Sequence, residues 1–213
     1  MLSTTERTRL RRGKHKGRTD RSELYALLDE GLVCHLGVVV GGSPMVVPTA
    51  YGRVDDTLYL HGSTGARSLR TDGEVCVTVT LLDGLVLARS AFHHSANHRS
   101  AMVYGRPRVV EDEEERMSAL RAITDQVVPG RWEEVRAPTA KEMAATRVLA
   151  LSLAEASVKV RTGPPGDDDE DHELPVWAGV LPVRQVFGEP EPDPGLAPGI
   201  GVPASVRGCR SPR

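Results

Sequence analysis

In the stretch EVCVTVTLLDGLVLARS, residues 74–90, the first part, 74–82, alternates apolar and polar side chains with the period of a β-strand. Val75, Val77, Val79 and Leu81 share one face, and Cys76, Thr78 and Thr80 the other. Asp83-Gly84 is a tight-turn signal, so 74–82 and 85–90 read as the two arms of a hairpin. The segments upstream have the same character. Val33 to Val40 is an apolar run, GGSP at 41–44 turns the chain through a bulged or irregular turn, and Met45 to Tyr51 returns. Asp55-Asp56 marks the next turn before a short strand over 57–61. Downstream, 102–110 is a strand that Pro107 confines to an edge or a bulge, and 147–161 reads as one long strand.

Helices flank these strands. Asp20 and Glu23 have capping-box spacing ahead of Leu24, Leu27 and Leu28, which predicts a helix over 20–31 closed by Gly31. Residues 64–72 make one or two helical turns. Met117, Leu120, Ile123 and Val127 give 112–127 one apolar face, and Thr139 with Glu142 opens a short helix at 139–146. Strands joined by tight turns, with few helices between the early ones, predict an antiparallel barrel and disfavour a doubly wound parallel sheet.

Composition narrows the function. With 27 basic and 29 acidic residues and a net charge of -2, nothing global favours nucleic acid as a partner. No run approaches the roughly 20 apolar residues that cross a bilayer, and the basic N-terminus has no apolar segment behind it as a secretory signal would. Cys34, Cys76 and Cys209 form no CxxC pair, and their odd count argues against a disulfide framework. A reducing, cytoplasmic setting is expected. The organisation expected is a basic, solvated arm over 1–18, one domain over 19–187 with an exposed acidic loop at 162–173, and a loose Pro/Gly-rich tail over 188–213. The apolar stretch 174–183 must pack or bind something.

Candidate chemistry begins at HGSTGAR, 61–67. Gly62 and Gly65 let backbone approach a ligand, Ser63 and Thr64 offer hydroxyls, and Arg67 offers a fork of donors. These are the requirements of a phosphate monoester, and equally the features of a glycine-rich turn with a solvated arginine. Arg99 is a possible second cation. No GxGxxG between strand and helix and no P-loop are present. His93, His94 and His98 lie close in sequence, yet no HExxH or cysteine pair accompanies them, so no metal site is expected.

Four stretches together are more specific: PMVVPTAYG at 44–52, LYLHGSTGAR at 58–67, SAFHHSANHRSAMVYGR at 90–106 and WAGVLP at 177–182. In this order and spacing, over roughly residues 15–190, the chain resembles the flavin-nucleotide-binding branch of the pyridoxamine 5'-phosphate oxidase-like family, which is similar to the nitroimidazole-resistance proteins. The resemblance implies a mainly β fold with flanking helices, an FMN-binding split β-barrel that forms a homodimer. It implies that Val47, Pro48 and Thr49 run beside the isoalloxazine ring. His61, Gly62, Ser63, Thr64 and Arg67 would approach the phosphate and ribityl chain. Asn97, His98, Arg99 and Ser100 would occupy the place of an Asn-Tyr-Arg-Ser segment, with His98 replacing the phenol. Trp177 would stand near the ring, from the same or the partner subunit. The activity implied is an FMN-dependent oxidoreductase acting on a small molecule. Other readings stay open: a non-catalytic flavin-binding or redox-sensing protein, a deazaflavin-dependent reductase, or a haem-binding relative in which His61, His93, His94 or His98 ligates iron.

Overall fold

The structure is a computed structural model that describes residues 1–2, 4–11 and 13–209. The sequence expectations for positions 3 and 12 of the basic arm and positions 210–213 of the tail lie outside the described residues. In chain order the elements are β1 (Gly17–Arg18), α1 (Arg21–Glu30), β2 (Cys34–Val40), β3 (Ser43–Thr49), β4 (Tyr51–Val54), β5 (Thr57–Ser63), β6 (Val75–Leu87), β7 (Ser95–Gly105) and β8 (Arg108–Val109). They continue with α2 (Glu113–Val127), α3 (Ala140–Ala145), β9 (Thr146–Ser152), β10 (Ala156–Arg161), β11 (Gly179–Pro182) and α4 (Ala204–Gly208). The strands form two antiparallel sheets with helices beside them. The chain divides into two compact units. Unit one holds Met1–Gly31, Thr78–Val103 and Ala154–Arg184, and unit two holds Leu32–Val77, Tyr104–Leu153 and Gln185–Arg213.

In unit one the strands run β1, β10, β7, β6, and β11 also pairs with β6. The expected hairpin at Asp83-Gly84 is corrected here: β6 passes straight through it. The local turn signal loses to tertiary pairing, because β11 lies antiparallel along the second half with Gly84 opposite Pro182. A Cβ on Gly84 would sit 2.9 Å from a Val180 methyl, so glycine serves close strand packing rather than a turn. The N-terminal arm is packed at two points rather than solvated throughout. Leu2 and Thr8 are buried, Leu2 N–H donates to Thr19 carbonyl at 2.7 Å, and Arg7 with Thr5 binds the Glu155 carboxylate. A paired charge thus anchors a segment whose composition reads as solvated.

Unit two contains the β2–β3 hairpin and a sheet ordered β4-β5-β9-β8. The turn at 41–44 is tighter than expected. Val40 pairs with Ser43, leaving Gly41 and Gly42 as a two-residue loop at φ 58° and 81°, a conformation that favours glycine at both positions. The long strand expected over 147–161 is two strands in different sheets. Leu153 N–H leaves the ladder to bond Asp56 carbonyl at 2.8 Å, and the chain turns before β10. Pro107 separates β7 from β8 instead of lying within one strand, since it has no N–H to donate to a ladder.

The helices follow their caps. Asp20 and Asp112 accept from the backbone N–H of Ser22 and Glu115, and Thr139 with Glu142 completes a reciprocal capping box. Helix α2 buries Ala119, Leu120 and Ile123 against Tyr59, Val110, Met143, Val148 and Ala150. Each large side chain so covered contributes about 1.5–3 kcal/mol. The tail after residue 185 is mostly exposed, with α4 tied to the second unit through Ser205 and the Glu134 carboxylate. Among the described residues, no helix is long and apolar enough to cross a membrane.

Gly52 on β4 permits this packing. A Cβ there would lie 2.5 Å from Ile123 N and 2.6 Å from the Ala122 carbonyl carbon, both backbone atoms of α2. Gly52→Ala is expected to destabilise the protein by about 1–3 kcal/mol through overpacking. Gly166→Ala, with nothing within 4 Å, should stay within roughly 0.5 kcal/mol of wild type. Urea unfolding of both variants checks this, and an unchanged midpoint for Gly52→Ala would refute the close-approach reading.

Candidate functional site

On β5 of unit two, Tyr59 and His61 lie two residues apart and so share a face. Tyr59 reaches α2, where its hydroxyl donates to Glu115 Oε1 at 2.8 Å. His61 lines a cavity of about 420 Å³ whose walls include Leu120 and Thr124 of α2, Trp132, Val135, Pro138 and Met143, with Arg136 and Glu142 among its polar lining. The His61 Nδ1 atom is buried without a hydrogen-bond partner. Burial pushes the imidazole below its ordinary range, which leaves it neutral at pH 7. A neutral imidazole on a cavity wall is a competent ligand for a soft or borderline metal centre. Trp132, to which sequence reading assigns no role, packs against the core cluster and forms part of this wall.

The segment after His61 is a turn rather than a helix start of any length. Ser63 Oγ accepts from Gly65 N–H at 3.1 Å, Thr64 N–H donates to Ala145 carbonyl, and a single 3-10 turn spans Arg67–Leu69. Gly62 faces Leu69, whose methyl would lie 2.7 Å from an added Cβ. Arg67 is exposed, and its guanidinium carries no ion pair or hydrogen bond among the described residues. Nearby, Arg70 Nε bonds the Thr64 carbonyl at 2.8 Å.

In unit one, the period of β7 divides the contiguous set 97–100 between two faces. Asn97 and Arg99 lie on the side of buried Ala101 and Val103. Both are engaged: Arg161 and the Gly163 carbonyl hold the Asn97 amide, and Arg99 forks onto Glu30 and Asp83. The Glu30 and Asp83 carboxylates hold the Arg99 guanidinium far above its usual value. His98 and Ser100 share the other face with Lys159, which stands opposite Ser100 in the register. His98 Nδ1 is buried with no partner, and burial followed by the field of Lys159 keeps the ring neutral. Lys16 also acts on His98, and neither ammonium group has an ion pair among the described residues. Lys159 escapes the sequence reading, although its place between Ser157 and Arg161 on one strand face is the signal that finds it.

The remaining expected residues lie apart from these groups. Val47 and Thr49 share one face of β3, and Pro48 faces the other way opposite His35. Trp177 is 67% exposed in the segment leading to β11, stacked near Gly179. The three close histidines do not converge: His94 Nδ1 bonds the Ser90 carbonyl at 2.9 Å, and His93 Nε2 lies 3.1 Å from Asp168. The acidic loop is not wholly exposed either. The Asp167 side chain is 1% exposed and accepts from Arg89.

The family profile described as pyridoxamine 5'-phosphate oxidase matches residues 20–160. The chain belongs to this pyridoxamine 5'-phosphate oxidase-like, flavin-nucleotide-binding superfamily. No curated protein matches it. Among solved structures, it is 42% identical to the flavocytochrome Anf3 from Azotobacter vinelandii, with a TM-score of 0.90 over 97% of this chain and 98% of that one. It is 41% identical to the FAD and heme binding protein from Mycobacterium smegmatis, with a TM-score of 0.86 over 92% of this chain and 98% of that one. A 5-nitroimidazole antibiotic resistance protein from Bacteroides thetaiotaomicron is 25% identical, at a TM-score of 0.57 over 68% of this chain and 86% of that one.

The cavity wall carries a testable pH signature. Arg136 grips both oxygens of Glu142, at 2.8 and 2.6 Å, and the Thr139 N–H adds a third bond, which pulls the carboxyl from 4.5 down to about 2. A carboxylate with a depressed folded-state pKa stabilises above its unfolded value, and that contribution fades as pH falls through the folded one. The stability gap between wild type and Glu142→Gln should therefore be constant above about 4.5 and close as pH approaches about 2. Urea unfolding at pH 7, 5 and 3 checks it; an equal gap at pH 7 and 3 would contradict the ion-pair origin.

Proposed function

We propose that this protein is a two-cofactor redox protein that binds a flavin nucleotide and haem, and that it acts as an oxidoreductase on a small molecule. Its likeness over almost the full length to one protein named a flavocytochrome and another named for FAD and heme supports this reading. The observation that carries the haem part is His61: a neutral imidazole with an unpartnered buried nitrogen, on the wall of a cavity shared with Leu120, Trp132, Val135, Pro138 and Met143. A haem would suit this lining, with His61 as the residue offered to iron and Leu120, Trp132, Val135 and Met143 against the macrocycle.

For the flavin, two alternative groups of side chains fit, each within a single unit. In unit two, Arg67 and the Ser63–Gly65 turn suit a phosphate. In unit one, His98, Ser100 and Lys159 present an unpartnered ring nitrogen, a hydroxyl and an ammonium group on one face. FAD leads as the occupant because it is the flavin named for the mycobacterial protein; FMN, expected from sequence, needs the same phosphate contacts. A closed split barrel belongs to the same reading. When bound, the flavin and haem supply one- and two-electron chemistry, while the chain binds and orients them and excludes water.

The absorption spectrum of protein purified after haem-supplemented expression should show a Soret band together with flavin bands. Chromatography of the denatured supernatant identifies the flavin. His61→Ala should lose the Soret band and keep the flavin. A Soret band unchanged in that variant would remove His61 from the iron, and its absence from wild type after haem titration would remove the haem reading.

Arg67→Ala should weaken flavin binding by the equivalent of about 1.5–3 kcal/mol, as expected for loss of a charge-assisted bond. Fluorescence titration of flavin-stripped protein measures this directly. An unchanged dissociation constant would overturn the phosphate assignment.

A further inference from the structure

Unit one carries a cluster that neither cofactor reading uses. The chain after β6 makes a 3-10 turn over Ala91–His93, and the loop after β10 makes another over Asp169–Glu173. The buried Asp167 carboxylate ties the two together, accepting from the Arg89 N–H and from its guanidinium, each at 2.9 Å. That tie brings His93, Asp168 and Asp171 into one group. The ligand atoms of all three lie within 4.8 Å of one another. Asp168 and Asp171 stand one turn apart, joined by a 2.9 Å bond from Asp171 N–H to Asp168 carbonyl.

We propose that His93, Asp168 and Asp171 form a binding site for a divalent transition-metal ion of the zinc type. A histidine–aspartate hydrogen bond accounts for His93 and Asp168 alone. It does not account for a second carboxylate held against the pair, where like charges repel. The segment 167–173 holds six carboxylates, and the one arginine paired with them among the described residues, Arg89, is engaged by Asp167. A cation at the cluster offsets that charge.

The donor set selects the class of ion. One imidazole nitrogen and two carboxylate oxygens suit zinc, which takes such ligands at about 2.0–2.2 Å and leaves a position open to water. Calcium and magnesium prefer all-oxygen shells. Ligand atoms already within 4.8 Å close onto one ion by side-chain rotation, since Asp168 is exposed and Asp171 partly so. The ion fastens the acidic loop to the 91–93 turn and so adds to the Asp167–Arg89 tie. The same loop leads on to Trp177 and β11.

The test uses the untagged, full-length protein, treated with chelator and then titrated with zinc chloride by calorimetry. The expected result is one saturable zinc per chain. His93→Ala and Asp171→Asn should each weaken binding by at least about tenfold, the lower end of what loss of even an outer-shell partner costs. His94→Ala, whose ring is tied to the Ser90 carbonyl instead, should bind as wild type does. Zinc should raise the melting temperature of wild type and of His94→Ala, and leave Asp171→Asn unmoved. No saturable zinc in wild type would overturn the site, as would undiminished binding by Asp171→Asn. Calcium or magnesium binding as tightly as zinc would overturn the assigned class of ion. Neither readout depends on haem or flavin occupancy.

Discussion

The approach of α2 to β4 at Gly52 is the constraint on which the second unit depends. With a hydrogen atom where other residues carry Cβ, the helix backbone comes down at Ala122 and Ile123 onto the strand. The neighbouring strand β5 then lies beneath the same helix. Tyr59 is close enough to put its hydroxyl on Glu115, and Leu120 and Thr124 stand over the position two residues further along, His61. The cavity and its buried imidazole thus follow from helix-on-sheet packing. The His61 ring is neutral because the same burial that seals the core removes water from one of its nitrogens.

Polar groups in this chain fall into two kinds, and the distinction separates support from binding. Arg99 is clasped by Glu30 and Asp83, and Asn97 by Arg161 and a carbonyl; these groups are fully used inside the protein and hold β7 to its neighbours. His61 and His98 have buried ring nitrogens with nothing to bond, which costs folding free energy unless something else completes them. A sequence motif that groups Asn97, His98, Arg99 and Ser100 as neighbours mixes the two kinds, because a strand sends successive side chains to opposite faces.

What is legible in the sequence is what is local. The caps at Asp20 and Thr139–Glu142 place α1 and α3 almost to the residue, since each cap bonds within its own turn, and the apolar face of 112–127 does the same for α2. Asp83-Gly84 fails as a turn because its partner, β11, lies about a hundred residues downstream in a short apolar run with no periodicity of its own. The strand expected over 147–161 fails for a related reason: both halves alternate, and only the Leu153–Asp56 bond shows that the chain leaves one sheet for another. The basic arm misleads because composition registers its charges and not Glu155, which binds them from far along the chain.

The ordered motifs are enough for the family, but not for the choice among the four histidines that the proposed haem reading leaves open. In sequence His61, His93, His94 and His98 differ only in position. Their surroundings differ in kind. His93 meets a carboxylate, His94 a backbone carbonyl, and His98 the field of Lys159, opposed by that of Asp83. His61 lines a cavity whose walls include Leu120, Trp132, Val135, Pro138 and Met143, and burial alone lowers its pKa. An apolar cofactor with a single coordination demand needs this combination, and no spacing rule records it, because the walls come from α2, the 131–138 segment and α3, each far from His61 in the chain.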